Sequence, residues 1–268
     1  MLHFPQLFLV EVSVKLLRKV YETSTCLDLD EAIAKTLYRR GFTPENTIFA
    51  HSVCSDEVNN KDEQLVALMV NRWQEGFSLG GLAGLPFAGK SGFRAFLHHV
   101  PDNGKLLVMF APHVGIDSRG VVGALQRDGQ TNVSNACGAA VGAYKALMAK
   151  AASSSDKPAA KLGDDKDTDL FDPQLNTIVG LLEPRLTGLG EALDPISFVT
   201  YQMYAIVRDL VDDCIAQTPD VWDFANEVAI VGGIMINRRV GEYDIILSCF
   251  ISTRTILVDC QLSLFPKR

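Results

Sequence analysis

The sequence predicts an α/β fold in which a mostly parallel central sheet is flanked by helices. Three segments are apolar throughout, at Thr47–Val53, Leu106–Pro112 and Val228–Ile236. Strands that are buried on both faces form continuous apolar runs of this kind, without polar alternation. Segments with helical spacing separate the three runs. Strands that alternate with helices are typical of a parallel sheet covered on both faces.

The length allows one large α/β domain or two small ones, and one globular domain over residues 1–268 is the simplest interpretation of the alternating strands and helices. Hydrophobic residues make up 47% of the chain and charged residues 21%, which is ordinary for a protein with a sizeable core. The formal charge of −7 argues against nucleic acid or an anionic membrane surface as a partner. No apolar run has the length of a membrane-spanning helix. The composition therefore suits a protein that acts on a small substrate.

Helical periodicity dominates the start of the chain, which we expect to form an N-terminal helical part over residues 1–45. Apolar residues recur at helical spacing within 12–41. After the first strand, residues 59–76 are expected to form an amphipathic helix. A glycine-rich stretch then runs from Gly80 to Gly92 and leads into a short helix that ends before Pro101.

The second half continues the alternation of strands and helices. A helix of small residues is expected over 139–151. Residues 150–171 are small, polar and charged, so they cannot bury enough surface to order themselves, and we predict a flexible surface loop. Pro184 is expected to break the helical segment that follows, and Gly232 to bend the third apolar strand. The remaining predicted elements are two helices and three strands, at 174–192, 195–217, 228–236, 243–252 and 254–262.

The cysteines indicate a reduced compartment, because six of them are spread through a long chain without the dense spacing of a disulfide scaffold. Four are expected to be buried or inert, since cysteine is among the most buried residue types. These four are Cys26, Cys214, Cys249 and Cys260.

Cys54, His113 and Cys137 are the candidate metal ligands. Cys54 directly follows the first apolar strand, His113 follows the second, and Cys137 opens the helix of small residues. In open α/β sheets, ligands bind beyond the carboxyl ends of the strands. Thiolate and imidazole are ligands that zinc prefers, and three protein ligands leave a fourth position for water, as in catalytic sites. Zinc lowers the pKa of bound water to about 7, so metal-assisted hydration or hydrolysis is the leading hypothesis.

Two alternatives remain for these residues. The spacing is not diagnostic, and two cysteines and a histidine in a chain of this length are more often unconnected core residues. Cys137 and His113 also suit a thiol nucleophile and its base, in an enzyme that needs no metal. Metal analysis separates the last alternative from a zinc site.

Asp56 lies two residues after Cys54, where its carboxylate has three possible roles. It can accept a hydrogen bond from zinc-bound hydroxide and orient that hydroxide for attack. It can also ligate zinc itself and close the site, unless an arginine holds it back. The structural alternative is an N-cap at the start of the next helix, and this role is compatible with the first.

Six segments of the chain resemble the limiting-CO2-inducible protein B/C family, the θ-class carbonic anhydrases, whose site is similar to that of the β-class carbonic anhydrases. They span most of residues 47–240 in the expected order. The segments are HSVCSDEVN (51–59), GGLAGLPFAGKSGFRAFLHHVPDNG (80–104), MFAPHVGID (109–117), RDGQ (127–130), NACGAA (135–140) and VAIVGGIMIN (228–237).

The resemblance implies a β-carbonic-anhydrase-like fold with Zn2+ on Cys54, His113 and Cys137. Zinc hydroxide would attack CO2 in a reversible hydration to bicarbonate. The resemblance also implies a homodimer, or a hetero-oligomer with a paralogue, in the chloroplast stroma or pyrenoid region. The protein would be cytoplasmic if its full precursor has no transit peptide. Because some family members are silent, the alternative is a non-catalytic zinc-binding scaffold that partners an active subunit of a carbon-concentrating complex.

One departure from the β-class pattern concerns the arginine partner of Asp56. That arginine usually lies two residues after the aspartate, where this chain has Val58. Arg127, between two of the implied ligands, is the first choice of partner, and Arg94 is the second.

A proton shuttle is the role considered for His98 and His99. A histidine that titrates near neutral pH suits this task, because proton removal limits fast hydration. The alternative is that both residues simply complement the carboxyl end of a helix.

The stretch Gly84–Ser91 fits the P-loop pattern G-x-x-x-x-G-K-[ST]. A P-loop needs an apolar strand directly before it and a full helix after it, and the sequence shows neither. A P-loop nucleotide hydrolase is therefore the less favoured alternative. We expect the glycines to allow close approach of the backbone to the metal site or to a partner subunit.

Overall fold

The computed structural model describes residues 23–153, 172–186, 189, 194–238, 245–253 and 256–258. The strands are β1 (Thr23–Thr25), β2 (Thr47–Val53), β3 (Gly76–Ser78), β4 (Lys105–Ala111), β5 (His113–Gly115), β6 (Ala124–Leu125), β7 (Ser134–Asn135), β8 (Glu227–Asn237), β9 (Ile245–Thr253) and β10 (Ile256–Val258). The helices are α1 (Cys26–Tyr38), α2 (Leu65–Trp73), α3 (Gly89–Leu97), α4 (Gly138–Ser153), α5 (Pro173–Leu182), α6 (Pro195–Ala216) and α7 (Val221–Phe224).

The central sheet has the strand order β1-β9-β8-β4-β2-β3, with β5 paired to β8 and β10 to β9. Five strands are parallel to one another, namely β2, β3, β4, β5 and β8. β9 is antiparallel to its three neighbours. β6 and β7 form a separate antiparallel hairpin. The predicted fold class, a mostly parallel sheet, is confirmed.

Helices cover both faces of this sheet, because the strands alternate their buried side chains between two cores. Phe49 of β2 packs in one core with residues of α1 and α2, such as Ile33 and Trp73. The neighbouring Ala50 faces the other core, which includes residues of α3 to α6 such as Phe93. The apolar runs lack polar alternation because both of their faces are buried.

The second apolar run is divided into two strands by Pro112. β4 ends at Ala111, and the chain re-enters the sheet at His113 as β5, which pairs with β8. Proline has no N–H to donate to a strand ladder, so an interruption at this position is expected. The division places His113 at the start of its own short strand. The predicted bounds 106–112 are otherwise close to those observed, and the bounds predicted for β2 are confirmed.

The first described helix, α1, lies within the region 12–41 that has helical spacing. It begins at Cys26, where the Thr25 hydroxyl accepts a hydrogen bond from the Asp28 N–H as an N-cap. Residues 1–22 lie outside the described part of the chain. The helix predicted over 59–76 covers only Leu65–Trp73, because Gln74 takes a left-handed φ of 65° and turns the chain into β3.

The C-terminal elements follow the predictions more closely. α4 continues to Ser153, so the first residues of the loop predicted over 150–171 are helical, and residues 154–171 lie outside the described part. Pro184 ends α5 within a 3-10 turn. β8 has a bulge between Gly232 and Ile234, where a bend was predicted. The predicted terminal strands correspond to β9 and β10, and residues 239–244 and 259–268 are not described.

None of the helices among the described residues combines the length and apolar character that a membrane span requires.

Candidate metal centre

Cys54, His113 and Cys137 converge at the carboxyl edge of the parallel strands. Their ligand atoms all lie within 4.8 Å of one another, and the two Sγ atoms are 3.6 Å apart. All three side chains are buried. Three residues that are distant in the sequence therefore form one compact set of two sulfurs and one imidazole.

A different element holds each of the three residues. Cys54 is the first residue after β2, and the end of β2 is packed tightly against Gly80, where a Cβ atom would lie 2.3 Å from the Val53 carbonyl oxygen. His113 begins β5. Cys137 precedes α4, and its carbonyl accepts the Val141 N–H of the first turn at 3.1 Å. The set thus combines the ends of two parallel strands with the start of a helix, as expected for ligand sites in open α/β sheets.

The Nε2 atom of His113 is buried and has no hydrogen-bond partner among the described residues. The other ring nitrogen, Nδ1, lies 2.6 Å from Oδ1 of Asn237. A buried polar atom without a partner is unusual in a native protein, and a metal ion is one way to satisfy it. Nε2 lies beside two sulfurs, and this donor set matches a zinc site with three protein ligands. The residues present therefore fit a zinc ion.

The two cysteine thiols differ in their pKa. The Cys54 side chain and the N–H groups of Ala140 and Ala139 lower the pKa of Cys137, against the effect of burial. The contact with Cys137, together with burial, raises the pKa of Cys54. Without a metal, Cys137 is therefore the more acidic thiol, which agrees with its position at the start of a helix.

Asp56 lies beside the three ligands and bonds to Arg127. Nη2 of Arg127 lies 2.9 Å from Oδ1 and 2.7 Å from Oδ2 of Asp56, while Oδ2 is 3.9 Å from Nε2 of His113. Burial alone would raise the pKa of Asp56, but the hydrogen bonds and charge of Arg127 outweigh it and lower that pKa. Asp56 is thus an ionised carboxylate at neutral pH. It also accepts a hydrogen bond from the Val58 N–H, so the N-cap role considered for it is present.

Arg127 is fixed by several contacts besides Asp56. Its Nε donates to Glu57 at 2.7 Å, and its Nη1 donates to the Ser134 hydroxyl and, at 3.1 Å, to the Asn135 carbonyl. Ser134 and Asn135 form β7, directly before the ligand Cys137. The guanidinium therefore joins the segment after β2 to the β6–β7 hairpin. Of the two arginines considered for Asp56, the structure places Arg127 there.

Arg94 and the histidine pair lie away from the three candidate ligands within one chain. Arg94 pairs with Asp220 at 2.6 Å, and His98 packs against Phe224 of α7. His99 contacts Phe77, and all three residues belong to the last part of α3 or directly follow it.

The direction of α3 explains this location. α3 begins near the carboxyl edge of the sheet, since Ala88 bonds Leu79 just beyond β3. It ends near the amino end of β4, since only the turn over residues 98–104 separates Leu97 from Lys105. The seven residues of β4 span roughly 23 Å at 3.3 Å each. Within one chain, His99 and Arg94 are therefore on the side of the sheet away from the three ligands. The geometry does not support a proton shuttle at His98 or His99.

The Gly84–Ser91 segment does not have the features of a P-loop. β3, which precedes it, is a three-residue strand, and the N–H groups of Gly84, Phe87, Ala88 and Gly89 all bond carbonyls of the same region. A P-loop directs such N–H groups at phosphate oxygens. The glycines serve close packing here, as Gly80 shows against β2.

The structure adds Asn59 and Asn237 to the site, two residues that the sequence analysis did not single out. Both are buried, and they bond each other at 3.2 Å between Nδ2 of Asn237 and Oδ1 of Asn59. The available sequence signal was a polar residue at the end of the apolar run of β8, where a parallel strand reaches the ligand-binding edge.

Comparison with known proteins agrees with this geometry. The family described as limiting CO2-inducible proteins B/C, beta carbonic anhydrases, matches residues 23–255. The crystal structure of PtLCIB4, a homolog of the limiting CO2-inducible protein LCIB, is 28% identical, with coverage of 90% of this chain and 95% of that chain and a TM-score of 0.79. The crystal structure of LCIB shares the fold at 22% identity, with coverage of 85% and 89% and a TM-score of 0.63. No curated protein sequence matches.

The family match covers most of the chain, and the PtLCIB4 structure has the same fold over nearly its whole length. This chain therefore belongs to the family of limiting CO2-inducible proteins B/C, beta carbonic anhydrases.

Proposed function

We propose that the protein hydrates CO2 reversibly to bicarbonate at a zinc ion held by Cys54, His113 and Cys137. One observation carries the proposal: the three ligand atoms lie within 4.8 Å of one another, and Nε2 of His113 has no protein partner among the described residues. Membership of a family of beta carbonic anhydrases supports the same reaction.

A zinc ion bound there would lower the pKa of a water molecule to about 7 and so supply a nucleophile at neutral pH. Asp56 is ionised, and its carboxylate accepts a hydrogen bond from that nucleophile and orients it toward CO2. Arg127 holds Asp56 through both carboxylate oxygens, so that the aspartate is kept from ligating the metal. This division of roles leaves the fourth ligand position to water.

The surroundings of the site suit an apolar substrate. Val58, Leu125 and Ala136 form a small buried apolar cluster. In the sequence, each lies one or two residues from Asp56, Arg127 or Cys137. CO2 carries no charge and has no hydrogen to donate, so an apolar wall beside a polar catalytic group favours it over water.

The deciding experiment is a stopped-flow CO2 hydration assay on purified protein whose zinc content has been measured. We expect one zinc per chain and hydration well above the uncatalysed rate. Stoichiometric zinc without hydration would instead support the non-catalytic scaffold. A metal-free protein with hydrolase activity would favour a Cys137 nucleophile with His113 as its base.

Assembly and location are part of the proposal and rest on family membership. We propose a homodimer, or a hetero-oligomer with a paralogue, in the chloroplast. Light scattering on the purified protein should give twice the mass of one chain. A fluorescent fusion of the full precursor should accumulate in the stroma or around the pyrenoid, and a cytoplasmic signal would contradict the location.

A further inference from the structure

Four buried groups form a continuous hydrogen-bonded chain between two of the ligand residues. Nδ1 of His113 lies 2.6 Å from Oδ1 of Asn237, and Nδ2 of Asn237 lies 3.2 Å from Oδ1 of Asn59. Nδ2 of Asn59 then lies 3.3 Å from the backbone carbonyl oxygen of Cys54. None of the four residues is more than 2% exposed. The chain thus starts on one ligand residue and ends on another.

The direction of this chain is determined by its last member. A backbone carbonyl can only accept, so the Asn59 amide must turn its NH2 group toward Cys54 and its oxygen toward Asn237. Asn237 must then present its NH2 group to Asn59 and its oxygen to His113. An amide oxygen also only accepts, so Nδ1 of His113 must carry the proton. In the neutral ring this leaves the lone pair on Nε2, which is the buried nitrogen that has no hydrogen-bond partner among the described residues.

We propose that Asn237 and Asn59 are positioning residues that set the tautomer and the orientation of His113 for metal binding. The Cys54 carbonyl is the fixed end of this hydrogen-bonded chain from His113 through Asn237 and Asn59, which we call the relay. The inference rests on the proposed metal centre. β8 supplies no ligand, yet through Asn237 it decides which nitrogen of His113 is available. The relay also holds the segment after β2 against the end of β8, so that Cys54 and His113 are placed together.

Asn237 could act through its packing alone or through its hydrogen bonds, and two substitutions of Asn237 distinguish these two roles. Asn237→Leu keeps the branched shape and the number of side-chain heavy atoms and removes both polar groups. Asn237→Asp keeps an oxygen that accepts from Nδ1 of His113. In competition with a chromophoric chelator, we expect the Leu variant to bind zinc about 10–100-fold more weakly than the unmodified chain. The Asp variant should stay within about tenfold of it. Equal losses in both variants would overturn the relay.

The matched control is Asn226→Ala, just before β8, where the side-chain amide donates to the Asn103 carbonyl at 2.9 Å, away from the three candidate ligands. Its zinc affinity should not change. Asn59→Asp retains an acceptor for Asn237 and loses the donor to Cys54, so we expect it to bind zinc about tenfold more weakly. Zinc binding as tight as in the unmodified chain for both Asn237→Leu and Asn59→Asp would refute the proposal.

A second measurement does not depend on the metal. Nitrogen–proton NMR correlation on the zinc-free full-length chain shows which ring nitrogen of His113 is protonated. We expect Nδ1 in the unmodified chain and a shift toward Nε2 in Asn237→Leu. Protonation of Nε2 in the unmodified chain would overturn the inference even if every variant failed to fold. Failure of the unmodified chain to bind zinc would instead contradict the proposed function. The NMR measurement of the His113 tautomer would still test the relay in that case.

Discussion

Nη2 of Arg127 lies within 2.9 Å of both carboxylate oxygens of Asp56, although 71 residues separate the two in the chain. The aspartate follows a sheet strand, and the arginine lies in the loop between the two strands of the β6–β7 hairpin. The β-class pattern has an arginine two residues after the aspartate, and Val58 occupies that position here. A distant arginine thus holds the carboxylate in place of the missing neighbour.

Removal of this pair should affect hydration more than zinc binding. We expect Asp56→Ala to retain zinc and to lose at least about 100-fold in kcat/KM, because the group that orients the nucleophile is gone. Arg127→Ala should lose about 10–100-fold, since the freed carboxylate can turn toward the metal. The control is Arg94→Ala, which should change activity less than twofold. Equal effects of the two arginine variants in the stopped-flow assay would show that the partner has been misplaced.

Cys137→Ser should abolish both zinc retention and hydration. A hydroxyl is a much poorer zinc ligand than a thiolate, and two remaining ligands do not hold the ion. Metal analysis after gel filtration and the hydration assay measure the two losses. Cys214→Ser is the matched control, because this half-buried cysteine lies outside the ligand set. A fully active Cys137→Ser variant would refute the ligand assignment.

Gly80→Ala should destabilise the protein, because the added Cβ would lie 2.3 Å from the Val53 carbonyl oxygen and 2.6 Å from the Val53 nitrogen. Backbone cannot move aside as a side chain can, so we expect a loss of roughly 2 kcal/mol or more in the free energy of unfolding. Gly180→Ala in α5 meets open space and should gain roughly 0.5–1 kcal/mol. Urea unfolding measures both. An unchanged Gly80→Ala midpoint would contradict the close approach.

Asp117 should make the folding stability depend on pH in the acid range. Its buried carboxylate accepts from the backbone N–H groups of Arg119 and Val121, each at 2.9 Å, and from the Arg119 side chain. Burial raises its pKa, but these donors outweigh burial and lower it. The stabilisation is therefore complete above the unfolded-state pKa of about 3.9 and is lost as the pH falls through the lower folded-state pKa.

At pH 7, Asp117→Ala should cost about 2 kcal/mol in the free energy of unfolding, the magnitude typical of hydrogen bonds to a charged group. The difference between the variant and the unmodified chain should shrink below pH 4. Urea unfolding between pH 7 and pH 3 measures this trend. Asp128→Ala, in an exposed turn, should stay within about 0.5 kcal/mol at every pH. A difference for Asp117→Ala that grows as the pH falls would contradict the sign.

The ligand set could be predicted from the sequence because each member follows a strong local signal. Cys54 and His113 come after continuous apolar runs, and Cys137 precedes a helix of small residues. Parallel strands bring their carboxyl ends to one edge, which favours proximity of Cys54 and His113, and the family resemblance supported the whole set. Pro112 interrupts the second run, but it leaves His113 at the same edge of the sheet.

Other contacts depend on how helices and strands are oriented in the fold, which local sequence patterns do not show. His99 was considered as a proton shuttle and Arg94 as a partner of Asp56, yet within one chain α3 carries both away from that edge. The relay escaped prediction for a related reason. Asn59 and Asn237 are 178 residues apart, and neither has a neighbour in sequence that suggests a bond between them.

The contacts of Arg127 fix its side chain in the folded protein, before any substrate binds. Its guanidinium is already held by a carboxylate on each side and by β7 before any substrate arrives. The entropy lost in immobilising that long side chain belongs to folding, so this arginine would need no conformational search during the proposed reaction. A resting protein built in this way would begin each turnover with its charged groups already in position.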